Sequence, residues 1–363
     1  MREHTKDSRF QWVQRLIGLW ACGLIGLLVC ESISLSAQAA ALEPKTGARP
    51  LGMSAFAAVA DDINAICWNP AGLSLLQTQE ATTAYAPLYG FDAGIRQSYL
   101  AYAYPTGKWG TAGINFSHLG YGDMDWRDSS GNDLGSFSRR DYSIYASYGV
   151  RLIDSLSLGA ALGTTSTKTD TVEDSATGVG FDLGALYTIA SRASLGLHLE
   201  NIGGISASDR EIARQKMRAG AAFSALDSPN MGLIAALDID AQQGKLDTLY
   251  SGIEWSVFSP SSFFVKRKYQ ERYTNLQKYE GMADYKEGLP EQGSKVSLSI
   301  RSGIRKRLAI DEPVALSGGF CIRYLLIPKS LTVRIEHAFL WHSYLETTHR
   351  FSLGLEMGGM VYD

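Results

Sequence analysis

From about residue 80 to residue 357 the chain repeats one pattern, in which segments of about ten residues alternate apolar with small or polar side chains. In segment 155–163, for example, leucine or alanine occupies every even position, and serine, glycine or alanine occupies every odd one. Segments 296–304 and 350–357 alternate in the same way. A period of two residues is typical of a β-strand. About fourteen such segments predict an all-β protein.

The connections between these segments differ in length in an ordered way. Short turns such as 105–108 and 151–155 alternate with the polar stretches Gly120 to Arg139 and Ser166 to Thr177, which we expect to be long loops. Outer-membrane barrels show this alternation, with their short turns in the periplasm. The basic, tyrosine-rich stretch 259–294 falls where a short periplasmic turn is expected, so we interpret it as an insertion that contacts a periplasmic partner.

The polar face of the predicted strands indicates which side of the barrel meets water. A soluble barrel needs an exterior crowded with charges, whereas this face is mostly glycine, serine, alanine and threonine, with isolated charges. Those charges, which we assign to the lumen, include Arg218, Arg301, Arg323, Arg334, Asp182, Glu200, Glu254 and Glu336. Wall side chains fill a barrel only up to about eight strands, so fourteen leave a lumen that needs a plug or water. The pattern predicts a transmembrane antiparallel up-and-down β-barrel with its apolar face in lipid.

The first 39 residues have the features of a signal peptide, which predicts export by the Sec route. Four basic residues precede the apolar run 16–30, and Ala37-Gln38-Ala39 fits the small-x-small cleavage pattern. Lipidation at Cys30 is a minor alternative, because the preceding Val29 is larger than that modification prefers. The formal net charge of -3 and the pI near 6.1 argue against a nucleic-acid partner.

Residues 40–79 do not alternate, and the stretch 52–60 consists mainly of small side chains. Asp61 or Asp62 can cap a short helix. Asn69 followed by Pro70 marks a second helix start, because an asparagine side chain accepts a hydrogen bond from a free backbone N–H and proline has no N–H to satisfy. The segment therefore predicts a compact unit with two short helical turns, which we call the hatch.

The hatch also resembles a known family. Asp61-Asp62 followed by Trp68-Asn69-Pro70-Ala71-Gly72-Leu73 is similar to the hatch of FadL-type outer-membrane proteins and their PorV-type relatives, and the run 348–355 is similar to their closing strand. The resemblance implies a fourteen-stranded barrel with the N-terminal hatch in its lumen, in the outer membrane of a diderm bacterium. The chain departs from the family in its last residues, 358–363, which do not end on an aromatic side chain, and in the insertion 259–294.

The resemblance implies passive uptake of long-chain fatty acids or other apolar molecules, with membrane lipid as the surroundings and the hatch as the gate. The alternatives are a PorV-like role in protein secretion or surface attachment, and a structural or adhesin-like barrel. We assign the gate to Asp61, Asp62, Asn69, Pro70, Ala71 and Gly72. Phe56, Trp68 and Leu73 either line the ligand path or pack the hatch against the wall.

The charged residues of the hatch leave two alternatives open. Asp61 and Asp62 could pair with Arg218, Arg301, Arg323 or Arg334 as a latch between hatch and wall, because charged hydrogen bonds are strong ones. Helix capping by these two aspartates is the equal alternative.

The two cysteines that follow the signal peptide also leave two alternatives. Cys67 and Cys321 could form a disulfide that tethers hatch to wall, or remain two separate thiols.

We find no enzyme motif, no cofactor site and no metal-ligand spacing, since the histidines at 337, 342 and 349 are unsuitably spaced.

Overall fold

The computed structural model describes residues 46–170, 176–190, 192–203, 205–207, 210–228, 231–242, 244–257, 296–308, 313–327 and 331–358. The predicted signal peptide, residues 1–39, and the predicted insertion, residues 259–294, lie outside the described residues.

Fourteen antiparallel strands close into a single barrel, which confirms the predicted architecture. Each strand pairs with its neighbours in sequence, β1 closes the barrel against β16, and β7 pairs with β10 because β8 and β9 form a separate two-stranded sheet. The strands are β1 (Gln79–Pro87), β2 (Arg96–Pro105), β3 (Thr111–Arg127), β4 (Asp133–Ile153), β5 (Leu156–Thr169), β6 (Ala176–Ala190), β7 (Ala193–Glu200), β8 (Ile205–Ala207), β9 (Arg210–Ala213), β10 (Lys216–Asp227), β11 (Met231–Gln242), β12 (Lys245–Val257), β13 (Val296–Arg307), β14 (Ala315–Ile327), β15 (Leu331–Trp341) and β16 (Thr348–Met357).

The two faces of the wall divide as the alternation predicts. On β2, buried and exposed residues alternate without a break, and the exposed set includes Leu100 and Tyr102. Leu162, Leu237 and Leu353 are likewise exposed on the outer face. The residues predicted to carry lumen charges are buried instead, among them Arg218, Glu254, Arg301, Arg334 and Glu336. An apolar exterior around a polar interior is the arrangement of a membrane-spanning barrel.

The stretch Gly120 to Arg139 was predicted as a long loop, and this prediction is wrong. The ladder between β3 and β4 continues to the pair Arg127–Asp133, so that only residues 128–132 form the turn. Both faces of this extension carry exposed or half-buried residues. A strand with water on both sides needs no apolar face, so its sequence has no apolar period to read. Similarly, β5 extends to Thr169 within the second predicted loop.

The described part of the hatch, residues 46–78, contains two short α-helices, α1 (Ala48–Met53) and α2 (Ala65–Trp68), and a 3₁₀-helix, Pro70–Leu75. Asn69 caps the 3₁₀-helix by accepting a hydrogen bond from the Ala71 N–H, and Pro70 occupies its first position, as predicted. Within the described part of the chain, no helix is long and apolar enough to cross a membrane.

The hatch lies inside the barrel and its backbone touches the wall. Six wall glycines permit this close approach by lacking a side chain. A methyl group at any of them would collide with hatch atoms. They meet residues near Met53, Ala57 and Pro70 of the hatch. These wall glycines are Gly149, Gly159, Gly184, Gly196, Gly252 and Gly303. Glycine on the lumen face of a strand thus marks where a second backbone packs against it.

Candidate functional site

Arg49 of α1 is the centre of the contact between hatch and wall. Its guanidinium donates to Asp61 and to Asp62 within the hatch, the latter from Nη1 to Oδ2 at 3.1 Å. It also donates to both carboxylate oxygens of Glu254 on β12, each at 2.9 Å. All four side chains are buried. A bidentate, buried arginine–carboxylate pair is among the stronger and more directional polar contacts in proteins.

Glu254 continues this contact into a chain of alternating charges around the wall. Arg301 on β13 donates to Glu254 at 2.6 Å and to Glu336 on β15 at 2.9 Å. Arg334 lies 3.6 Å from Glu336 and 3.7 Å from Glu80 on β1. Glu80 in turn accepts the backbone N–H of Ile63 in the hatch at 3.1 Å. The charge chain therefore starts and ends on the hatch.

The latch between hatch and wall exists, but its polarity is the reverse of the predicted one. Among the described residues, the ion pairs of Asp61 and Asp62 are with Arg49 and not with a wall arginine. The wall supplies a carboxylate, Glu254, and the hatch supplies the arginine. The alternation of the strands identified which charged wall residues face the lumen. It could not identify which of them the hatch would contact, because the hatch has no such alternation.

Asp62 does not cap the following helix, which was the alternative to a latch: the N-cap residue of α2 is Asn64, and no side chain caps it. Asp62 Oδ1 accepts the Asn64 backbone N–H and the Asn64 side-chain amide, both at 2.8 Å, which orders the turn before α2. Burial alone would raise the pKa of Asp62, but the nearby Arg49, and then Arg334, outweigh it and hold that pKa well below its ordinary value. The carboxylate is therefore charged at neutral pH.

A second anchor lies on β11. Both backbone N–H groups of Phe56 and Ala57 donate to Oδ2 of the buried Asp238, at 2.7 and 2.8 Å. The neighbouring Asp240 accepts two hydrogen bonds from Arg218, at 2.5 and 2.7 Å. The Arg218 guanidinium lies 4.7 Å from the ring centre of Trp68, so this predicted lumen charge contacts the hatch through a cation–π interaction.

Phe56, Trp68 and Leu73 are all buried in the closed hatch. Phe56 and Trp68 pack edge to face with ring centres 5.9 Å apart, and Trp68 Nε1 donates to the Thr46 carbonyl at 2.7 Å. Leu73 lies against the wall at Gly113 and Gly149. Through these contacts the three side chains pack within the hatch and against the wall. A role of these residues in the ligand path stays a prediction.

The remaining gate residues, Asn69 to Gly72, join the hatch to the β4–β6 side of the wall. Asn69 Nδ2 donates to the carbonyls of Ala57 in the hatch and Ala185 on β6, at 2.9 and 3.1 Å. Pro70 and Ala71 pack on the wall glycines, while Gly72 touches the Ala60 carbonyl so closely that no side chain fits. The Asn-Pro-Ala-Gly motif is thus a close-packing element.

Of the two alternatives for Cys67 and Cys321, the structure has two separate free thiols and no disulfide between them. Cys67 Sγ lies 3.6 Å from the Tyr99 hydroxyl on β2, whereas Cys321 lies on β14 opposite Glu336. Three strands, β1, β16 and β15, separate these two parts of the wall. Burial raises the pKa of the Cys67 thiol.

Two further predicted lumen charges lie on β14 and β7. Arg323 on β14 pairs with Glu356 on β16 at 3.0 Å, and Glu200 ends β7 opposite Lys216.

Sequence reasoning missed Arg49, although it is the only charged residue between positions 46 and 60. An isolated charge within a run of small residues was the available signal. Within the described ranges, no cluster of histidine, cysteine or carboxylate side chains could hold a metal ion.

No protein-family model matches the sequence, and no curated protein matches it. Solved structures do match. The toluene transporter TbuX of Ralstonia pickettii has a TM-score of 0.54 at 12% identity, covering 86% of this chain and 98% of that one. A deltaS2 mutant of the monoaromatic hydrocarbon channel TodX has a TM-score of 0.54 at 10% identity, covering 88% and 100%. The monoaromatic hydrocarbon channel CymD has a TM-score of 0.53 at 11% identity, covering 87% and 98%.

At such low identity this likeness establishes the fold alone. The three matched structures are FadL-type outer-membrane transporters, and they match over most of their length. The hatch motif and the strand pattern of the sequence also resemble those of FadL-type proteins. The chain therefore has the fold of the FadL-type outer-membrane transporters.

Proposed function

We propose that this chain is an outer-membrane transport protein for passive uptake of long-chain fatty acids or other hydrophobic small molecules, gated by the hatch. The observation that carries the proposal is the hatch itself. It fills the lumen of a barrel with an apolar exterior, and its described anchors are ion pairs and hydrogen bonds, which can exchange.

The charge chain provides a mechanism for gating. Arg49 has partners on both sides, Asp61 and Asp62 in the hatch and Glu254 in the wall. If the hatch moves away from Glu254, Arg49 keeps its hatch carboxylates and Glu254 keeps Arg301. Neither charge is left alone, so displacement avoids the large cost of an unpaired buried ion. The arrangement favours a small movement over unfolding of the hatch.

The nature of the cargo is supported by two features. The hatch interior is apolar, with Phe56, Ile63, Ile66 and Leu73 fully buried at its contact with the wall. The matched structures are described as a toluene transporter and monoaromatic hydrocarbon channels. We therefore include small aromatic hydrocarbons with fatty acids in the proposed cargo class.

Uptake by whole cells tests the proposal. Host cells of a diderm bacterium that lack their own transporter would express the chain, and uptake of radiolabelled oleate and naphthalene would be measured against cells with an empty vector. We expect faster uptake of at least one compound, without dependence on an added energy source. Equal uptake with and without the correctly inserted barrel would contradict the proposal and favour a secretion or structural role.

A further inference from the structure

Three polar side chains on the lumen face of β3 and β4 are buried. Asn115, Ser117 and Ser147 are only 4%, 5% and 5% exposed. Asn115 Oδ1 and the two serine hydroxyls make no hydrogen bond to the described residues. Buried polar atoms in proteins are nearly always paired, so each exception needs an explanation.

The strand register places these three side chains in a row along the wall. Ser147 lies opposite Gly113, and Asn115 and Ser117 occupy the next two lumen-facing positions of β3. On the other side of β3, Asn115 and Ser117 lie opposite Ala101 and Tyr99 of β2. The result is a polar patch, formed by Asn115, Ser117 and Ser147, with Asn115 in the middle.

The hatch meets this part of the wall differently from the rest. Along the wall glycines its backbone is in direct contact, whereas at Gly113 it contacts the wall through the side chains of Ile66 and Leu73. A contact between side chains can open by rotamer changes, while a backbone contact requires the segment to shift. The seal at Gly113, beside Asn115, is therefore easier to open than the backbone contact at Gly149.

We propose that the polar patch is a subsite for the hydroxyl group of a transported apolar molecule, reached when Ile66 and Leu73 move aside. This inference rests on the proposed function and narrows its cargo to uncharged aromatic or aliphatic compounds that carry a hydroxyl. The Asn115 oxygen can only accept, and the two serines can accept or donate, so a hydroxyl placed at Asn115 can donate to its oxygen and accept from one flanking serine. Opening the seal then gives partners to groups that are unsatisfied in the closed arrangement.

The test compares two cargo molecules that differ by one hydroxyl. Cells expressing the wild-type chain or the variant Asn115→Leu/Ser117→Ala/Ser147→Ala would be given radiolabelled 2-naphthol or naphthalene. We expect the ratio of 2-naphthol to naphthalene uptake to fall on the order of tenfold in the variant, because up to two hydrogen bonds to the hydroxyl are lost. The variant should unfold at a temperature equal to or above that of the wild type, because unpartnered polar atoms have been removed.

A matched control uses Ser256 and Ser299, two lumen-facing serines whose hydroxyls pair with each other at 2.8 Å across β12 and β13. The variant Ser256→Ala/Ser299→Ala should leave the uptake ratio unchanged. If the wild-type chain imports both compounds and the triple variant keeps the wild-type ratio, the subsite is overturned while the proposed function stands. If the wild-type chain imports neither compound nor oleate, the proposed function falls, and the subsite with it.

Discussion

Glu254 shows how a single residue joins the hatch to the barrel. Its position on the lumen face follows from the period-two pattern, and its burial confirms that assignment. Its partner Arg49 lies in a segment without a period, so no sequence rule connects the two. Individual wall charges were therefore predictable from the sequence, whereas their pairing with the hatch depended on how the hatch folds.

We expect Glu254→Gln to loosen the hatch. The change removes the wall carboxylate that Arg49 and Arg301 share, while Arg49 keeps its hatch carboxylates and Arg301 keeps Glu336. The hatch therefore loses the charged hydrogen bonds of Arg49 to the wall, worth on the order of 1 to 3 kcal/mol each, without an unpaired buried charge. Single-channel conductance in planar lipid bilayers should rise, with more frequent openings than in the wild type. The control is Asp170→Asn, which removes an exposed pair with Arg140 and should leave conductance unchanged. Equal conductance in both variants would show that the pair does not hold the hatch.

Acid should loosen the fold of the hatch, and with it the fit of the hatch in the lumen, only at low pH. The pKa of Asp62 is lowered in the folded protein, so its contribution to stability is present above the unfolded-state pKa and is lost as pH falls through the folded-state value. An ordinary aspartate is half protonated near pH 4. Conductance measured from pH 7 downwards should therefore stay low at about pH 4 and rise only below it. A rise already complete at about pH 5 would mean that Arg49 does not hold Asp62 ionised.

At the scale of elements, the hatch and the barrel are fitted to each other by glycine. The alternation predicted the strands and their faces, because lipid on one side imposes an apolar period. It could not predict the hairpin of β3 and β4 beyond Gly120, where water lies on both sides and no period exists. Nor could it distinguish glycines that contact the hatch from glycines that merely face the lumen.

The substitution Gly252→Ala tests this fit. A methyl group there would collide with the Met53 carbonyl, so α1 must move or the wall must deform. We expect a destabilisation of about 1 to 3 kcal/mol, as for overpacking in a core, and faster proteolysis of the hatch. The control is Gly120→Ala on β3, where a methyl group would make only ordinary contacts. If the two variants are equally stable, the hatch does not pack on the wall as described.

At the scale of the whole molecule, the described strands form a closed barrel with the hatch in its lumen. Strand number, closure and the apolar exterior were all predicted from the sequence. Cargo and gating were not, because they depend on how the hatch sits against the wall and how it moves. The most direct test therefore holds the hatch in place and asks whether transport stops.

A reversible crosslink between Ile66 and Gly113 provides that test. The Cβ position of Gly113 lies 3.0 Å from Ile66 Cγ1, so Ile66→Cys/Gly113→Cys matches disulfide geometry, in a chain whose Cys67 and Cys321 are changed to alanine. Uptake of labelled naphthalene would be measured in cells under oxidising conditions and again after reduction. The account predicts background uptake when the disulfide is closed and recovery when it is reduced. Undiminished uptake through the fully crosslinked barrel would contradict it.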